Sequence, residues 1–504
     1  MRTGRIAGAA VALLLGTMLC AALADSAQAD ETLSRQQGRD LVPYKSDWDL
    51  ASTERLTQQT APGFQELGAA ETPQFVQDGC NWCPPRSYCC CRSRAPNEWT
   101  WITSALVVGG GIALLAGADV DDAESVGDWM QVGLPILAAG GIVANRDWKG
   151  GIQFAKSGAL TGLLVFGGKN LVDKWRPNAS NPKSFPSGHT AMAFFGASYI
   201  YTRYGAKWGI PAYLAAMYVG ASRIHAEKHF ADDVLAGASI GMMANWLFVT
   251  PVGEECCVVK RGPCKQARYY FEFGFMDVRK LDVTAPRDSG TKVDFTQFDN
   301  VQPTMMARAG LEFFPAPRHE VAIEIAPNEI DDYGTTTSPI SFGGQTFAAG
   351  EDVRTRILLH DYRIRYRYDV FGDCDCRDPE CGGFLKAGGA LALIDSEIEI
   401  RSESTDVRAR VSDPGFMGTL HFHGGYRFDK RWRVFAEADL SYGGGYQQYD
   451  GSVFLEWQIN RDWDVSLGVR GGVGEVDIST YESEWEAGTI VLRFGKSFYP
   501  RVSR

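Results

Sequence analysis

Hydrophobic positions follow two regimes along the 504-residue chain. From about residue 99 to 253, uncharged stretches rich in Ala, Leu, Met and Gly alternate with short charged connectors, at 99–118, 131–145, 157–168, 184–202, 208–222 and 234–253. Their composition and length predict helices rather than strands, and so an all-α bundle. Three of them hold only 12 to 15 residues. As helix that is about 18–22 Å, short of a hydrocarbon core of about 30 Å, so length alone does not decide whether the bundle crosses a membrane. After about residue 268 the period drops to two. Trp432, Val434, Ala436, Ala438 and Leu440 share one face, opposite Arg433, Phe435, Glu437 and Asp439. Val453, Leu455, Trp457 and Ile459 repeat this opposite Glu456 and Gln458, with Gly-rich turns between. About eight such segments from 268 to 498 predict an all-β antiparallel barrel of roughly eight strands. The fold class is multidomain α plus β, a helical bundle followed by a barrel.

Composition narrows the setting. A net charge of −11 argues against nucleic acid as a partner, and 45% hydrophobic residues exclude wholesale disorder. Arg2 and Arg5 precede an uncharged stretch from Ile6 to Leu23, and Ala27-Gln28-Ala29 offers small residues before Asp30. This is the pattern of a secretory signal over 1–29. Its removal takes Cys20 and leaves eleven of the twelve cysteines, in three groups: Cys80, Cys83 and Cys89 to Cys91; Cys256, Cys257 and Cys264; Cys374, Cys376 and Cys381. In an exported chain these predict disulfides, with zinc at Cys80 and Cys83 as the alternative. The expected organisation is signal 1–29, Cys-containing arm 30–97, bundle 98–253, Cys-containing linker 254–267, barrel-like domain 268–498 and tail 499–504. By pattern, the C-terminal half resembles the small barrels of bacterial outer membranes. A soluble periplasmic barrel is the alternative, since the chain runs past Phe498 to Arg504. The connector from Pro251 to Arg268 reaches about 60 Å at most, so bundle and barrel are not expected in two distant membranes. With the barrel in the outer membrane the bundle is expected beside it, facing the periplasm; with the bundle across the inner membrane the barrel is expected to be a periplasmic domain. The expected location is the cell envelope of a Gram-negative-type bacterium, in the outer membrane or periplasm rather than the inner membrane.

Three segments carry chemistry: Lys169 with Arg176-Pro177, then Pro186-Ser187-Gly188-His189, then Ser222-Arg223 with His229 and Asp233. Phosphoryl transfer spreads negative charge over non-bridging oxygens and is served by fixed cations and N–H donors. Lys169, Arg176 and Arg223 supply the cations; Ser187 and the backbone of Gly188 add neutral donors. His229 and Asp233 lie four apart, neighbours on one helical face, so the carboxylate can fix the imidazole tautomer that attacks phosphorus. Asp232, three apart, is the alternative partner. His189 is placed to protonate the leaving oxygen. Lys174 and Arg203 read as solvated or helix-end charges, His225 as a packing or surface residue. His319, His360, His421 and His423 fall in the β region. His421 and His423 share a strand face that could bind metal but lack a clear third ligand.

The three segments are similar to the signature of the PAP2 (type 2 phosphatidic acid phosphatase) superfamily: Lys-x6-Arg-Pro, Pro-Ser-Gly-His, Ser-Arg-x5-His-x3-Asp, each fixed position matched in order over residues 99 to 253. The resemblance implies a helical bundle, a phosphohistidine on His229, His189 as general acid, and a phosphate pocket of Lys169, Arg176, Ser187, Gly188 and Arg223. It implies no metal and no cofactor, and a phosphate ester or pyrophosphate, of a lipid and at a membrane, as substrate. Phosphatidate, phosphatidylglycerophosphate, polyprenyl pyrophosphate and lipid A phosphate are the candidates. The alternatives are an exported acid phosphatase on soluble esters, a vanadium haloperoxidase-like enzyme, and a non-catalytic outer-membrane barrel protein.

Overall fold

A computed structural model describes residues 120–252, 260–261, 265–298, 304–372, 382–405, 407–499 and 501–502. The signal, the arm, the 99–118 stretch and all the cysteines lie outside these residues, and with them the disulfide and zinc expectations.

Five helices are described: α1 (Val120–Ala144), α2 (Trp148–Leu171), α3 (Gly188–Tyr204), α4 (Ala206–His225) and α5 (Ala231–Phe248). Of these, α1, α2 and α4 run longer than the uncharged stretches in the sequence because charged residues, such as Lys149 and Lys156 of α2, sit within them. The shortest, α3, has 17 residues, or about 26 Å. Its start moves from 184 to Gly188, since Pro186 ends the preceding loop and Ser187 caps the helix, accepting from the Thr190 N–H. Small residues let α5 press on α3. A Cβ on Gly237 would stand 2.4 Å from the Ser187 carbonyl oxygen, and one on Gly241 2.5 Å from that of Ala191.

Among the described residues the barrel has ten strands, not the roughly eight expected. They are β1 (Ala267–Thr284), β2 (Thr304–Ala316), β3 (His319–Thr335), β4 (Asp352–Phe371), β5 (Gly383–Ser402), β6 (Arg408–Arg427), β7 (Trp432–Gly443), β8 (Tyr446–Gln458), β9 (Trp463–Asp477) and β10 (Glu482–Phe498). Each pairs antiparallel with the next, and β10 pairs with β1 to close the ring. The count fell short in the sequence because charged residues interrupt the alternation, on both faces toward the end of β3 and along one face toward the end of β5.

The polarity is inverted relative to a water-soluble barrel. The face carrying Trp432, Val434 and Leu440 points outward and is exposed, while Phe435, Glu437 and Asp439 point in and are buried. Toward the start of β1 the interior is closed by ion pairs, while toward the end of β1 it is filled by an apolar cluster that includes Leu281, Ile330, Ile357, Ile398 and Val476. Arg268 bridges Glu312 and Asp464, Arg493 joins Glu272 to Glu437, Arg363 reaches Asp361 and Asp439, and Arg367 pairs with Glu312 and Glu320. Such burial is tolerable because each charge meets an opposite one with hydrogen bonds. His421 belongs to this interior, with Nδ1 2.6 Å from Asp439. His423 also faces inward and packs on Phe384 and Phe435. Among the described residues no cluster suited to a metal accompanies them.

The bundle docks on the outer wall of β1, β2 and β3 through one continuous apolar core. Tyr269, Phe271, Met305, Ala307, Ala309 and Leu311 of the barrel pack with Ala236 and Met242 of α5 and with residues of α3 and α4. Ser239 and Tyr269 share a 2.7 Å hydrogen bond, and Trp246 packs edge-on against Tyr269 and Phe498.

Candidate active site

Because α2 to α5 alternate in direction, the last turns of α2 and α4 and the first turns of α3 and α5 meet at one end of the bundle. The three sequence segments come together there. Backbone bonds fasten the loops: the Ser187 N–H donates to the Asp233 carbonyl at 3.0 Å, and that of Asn178 to the Glu227 carbonyl at 3.0 Å. A cavity of 340 Å³ opens at this end, lined by Lys169, Arg176, Gly188, His189 and His229, with Gln131, Thr161, Gly162, Val165 and Met192 completing its wall.

His229 is buried, and Asp233 lies beside its Nδ1 at 3.8 Å, beyond a direct hydrogen bond. The Ser184 hydroxyl bridges them, donating to the Asp233 carboxylate at 2.5 Å and standing 3.5 Å from His229 Nδ1. Asp233 also accepts from the Phe230 N–H at 2.9 Å and from the Lys174 ammonium at 3.1 Å. Three donors on one buried carboxylate favour its charged form. Burial holds the His229 imidazole below its ordinary pKa, partly opposed by Asp233. Burial thereby favours the neutral form of His229, whose Nδ1 faces Ser184 and Asp233 while the residue lines the cavity.

The cations differ in their engagements. The Lys169 ammonium donates to the Lys183 carbonyl at 2.7 Å. The buried Nε atoms of Arg176 and Arg223 have no hydrogen-bond partner among the described residues, an arrangement suited to an incoming anion. Arg223 does not line the cavity; it contacts Asp128 at 2.9 Å and donates to the Glu124 carbonyl at 2.9 Å. Asp128 also stands 3.1 Å from His189 Nε2. The Ser187 hydroxyl is buried and shared with Thr190 at 2.9 Å, so its present role is the helix cap.

Several participants were not legible beforehand. Lys174 is not a solvated charge: it is buried between Asp232 (2.6 Å) and Asp233. Asp232 therefore faces Lys174 and not His229. Arg203 is likewise buried, bonded to both Asp147 oxygens and the Thr250 carbonyl at the opposite end of the bundle. Asp128 and Glu124 carried no signal, because about a hundred residues separate them from Arg223. A second cavity, of 140 Å³ inside the barrel, includes none of the three segments in its lining.

Residues 151–254 match the PAP2 superfamily model. The lipid A 1-phosphatase of Porphyromonas gingivalis is 38% identical over 92 residues, 18% of this chain and 21% of that protein. The lipid A 4'-phosphatase of Helicobacter pylori is 28% identical over 138 residues, 25% of this chain and 69% of that one. Thus the chain spans about a fifth of the first relative and just over two thirds of the second. Aquifex aeolicus LpxE superposes at TM-score 0.21 and 24% identity, over 31% of this chain and 89% of that one. The Escherichia coli outer membrane protease OmpT does so at TM-score 0.28 and 10% identity, over 48% and 99%. The match to the PAP2 superfamily model thus spans α2 to α5, which are joined here to a closed ten-stranded β-barrel.

Proposed function

We propose that this chain is a cell-envelope phosphatase that removes phosphate from a membrane lipid, with lipid A phosphate the favoured substrate, through a phosphohistidine on His229. One observation carries the reading: a single cavity lined by two histidines, a lysine and an arginine, whose buried guanidinium Nε–H has no partner among the described residues. In the first step His229 Nε2 attacks phosphorus as the bond from phosphorus to the lipid oxygen breaks. His189 gives its proton to that departing oxygen. In the second, water attacks the phosphohistidine and yields its proton to His189; inorganic phosphate leaves and His229 is restored. Lys169, Arg176 and Arg223 supply the charge that a metal supplies in other phosphatases, so the reaction needs none. Asp233, through Ser184, keeps the proton on Nδ1 and Nε2 free.

A lipid is favoured because the helices flanking the cavity mouth expose Trp129, Val132, Ile136, Leu163, Leu164 and Phe166. An apolar surface of this extent is suited to acyl chains. The two named lipid A phosphatases make that lipid the first candidate. The apolar outer wall of the barrel, over an interior that is ionic toward the start of β1, supports a place in a Gram-negative outer membrane. The test is phosphate release from lipid A and from a soluble phosphate ester, in chelator, for the full chain and His229→Ala. We expect release from lipid A that falls about 10³-fold or more in the variant. Unchanged release by His229→Ala, or dependence on added metal, would overturn the mechanism.

A further inference from the structure

The barrel turns the bundle into a protein whose height in a membrane can be read. At one end lie the start of β1 and the end of β10, with short turns at 317–318, 428–431 and 459–462 and an eleven-residue connection at 372–382. At the other lie the two longest connections, 285–303 and 336–351. Outward apolar side chains form a belt above the short-turn end: Phe275, Ile364, Leu391, Phe416, Tyr442 and Ile490 mark its upper edge. Each stands seven to eleven residues along its strand from that end. Beyond the belt the outward face becomes charged, with Asp277 and Arg279 on β1, Glu484 and Glu486 on β10, and the pairs Arg408–Glu399 and Arg410–Glu397 across β5 and β6.

The catalytic end of the bundle is tied to this boundary. The Ala231 N–H, at the start of α5, donates to Glu329 of β3 at 3.1 Å. Arg354 of β4 donates to the Pro177 carbonyl at 2.7 Å. Glu329 lies ten residues along β3 from His319. Ten residues at about 3.3 Å, tilted about 40°, rise about 25 Å, the height of the apolar band of such barrels. The bundle gives the same figure independently: α5 has 18 residues and spans about 27 Å. Its far end reaches Phe498 through Trp246. Both rulers put His229 one hydrocarbon thickness above the short turns, where apolar surface gives way to charge.

Barrels of the outer membrane keep short turns in the periplasm and longer loops outside. We infer that the active site lies at headgroup level in the outer leaflet, on the long-loop side of the barrel. Its substrate is a phosphate on a lipid already delivered to that leaflet. This rests on the phosphatase reading for the chemistry, but the orientation stands on the barrel alone. A soluble or inner-leaflet phosphate would have to come from the opposite side.

The experiment uses the full chain in a Gram-negative host, with one epitope inserted between Ser404 and Thr405 on the long-loop side and, separately, one between Asp429 and Lys430 in a short turn. Antibody binding is read on intact and on permeabilised cells, and host lipid A by mass spectrometry. A third arm stops lipopolysaccharide export after the protein is made and follows newly made lipid A. We expect the first epitope to be bound on intact cells and the second only after permeabilisation. Lipid A should lose a phosphate when export runs, and newly made lipid A should keep it when export stops. Binding of the Asp429 epitope on intact cells, or dephosphorylation of lipid A retained by the export block, would overturn the inference. The expected epitope pattern with lipid A unmodified throughout would overturn the phosphatase reading and leave the orientation intact.

Discussion

Lys174 offers the sharpest test of how the site is held. Its ammonium is buried and stands 2.6 Å from Asp232 and 3.1 Å from Asp233, with the Phe230 ring 4.5 Å away. Burial by itself would lower its pKa; the two carboxylates more than reverse that and raise it above the ordinary lysine value. Lys174→Met keeps the apolar stem and leaves two buried carboxylates without their cation. Breaking a buried pair in this way costs about 3–5 kcal/mol. For a unit of 150–250 residues each kcal/mol lowers the midpoint by about 2–4 °C, so the bundle should lose on the order of 10 °C. The assay is the midpoint of thermal unfolding in detergent, followed by tryptophan fluorescence and by loss of activity. Adding Asp232→Asn to Lys174→Met removes one surplus charge and should restore a large part of the loss, because Asp232 is the closer partner. A Lys174→Met midpoint within about 2 °C of wild type would refute the reasoning and return Lys174 to the solvated charge that its sequence context suggested.

The other predictions concern catalysis and the membrane face. The nucleophile must be neutral, and burial lowers the His229 pKa from 6.5, so the acid limb of kcat/KM against pH should fall below pH 6.5; a limb above it contradicts the assignment. His189→Asn should reduce kcat by about 10²- to 10⁴-fold with a smaller change in KM, and a leaving group that needs no proton should recover most of it. Asp128→Asn removes a carboxylate 2.9 Å from Arg223, and inorganic phosphate should then inhibit severalfold more tightly; weaker inhibition would make Asp128 a support of the anion site. Leu467 is 59% exposed near mid-belt, and Leu467→Arg should destabilise the barrel by about 2–4 kcal/mol in lipid, where a water-facing site would change by about 0.5 kcal/mol at most.

What was legible in the sequence was what local spacing records. The three segments carried Lys169, Arg176, His189, His229 and Asp233 because each motif sits on one helix end, where three or four residues fix relative geometry. Period-two alternation announced strands such as β7 and β8 but did not say which face met the core. Trp432 to Leu440 read as an apolar face, yet only the closed ring shows it turned outward over an ionic interior. Ser184, Lys174 and Asp128 were silent for a different reason. A serine in a loop, a lysine beside a helix end and an aspartate on a distant helix acquire their partners only through packing. The strand count failed where Glu329, Arg354, Arg356 and Glu399 interrupt the outward face, and those interruptions are where the bundle docks or the belt ends.

The same interruptions explain why bundle and barrel belong together. Glu329 alternates with Asn328 and Ile330, which line the interior, so its carboxylate points outward at the edge of the apolar belt. Facing lipid, that charge would be costly. Here it accepts the Ala231 N–H at the start of α5, where a helix dipole favours an anion, and pairs with Arg356 and with His360 at 3.2 Å. Arg356 in turn lies over the Phe230 ring, next to His229, at 5.4 Å. Arg354 holds the carbonyl of Pro177, beside Arg176. Two adjacent strands thus grip the first and third motif segments from the same side, above the apolar core that α5 shares with the barrel wall. The barrel wall is accordingly part of what positions the loop that carries His229.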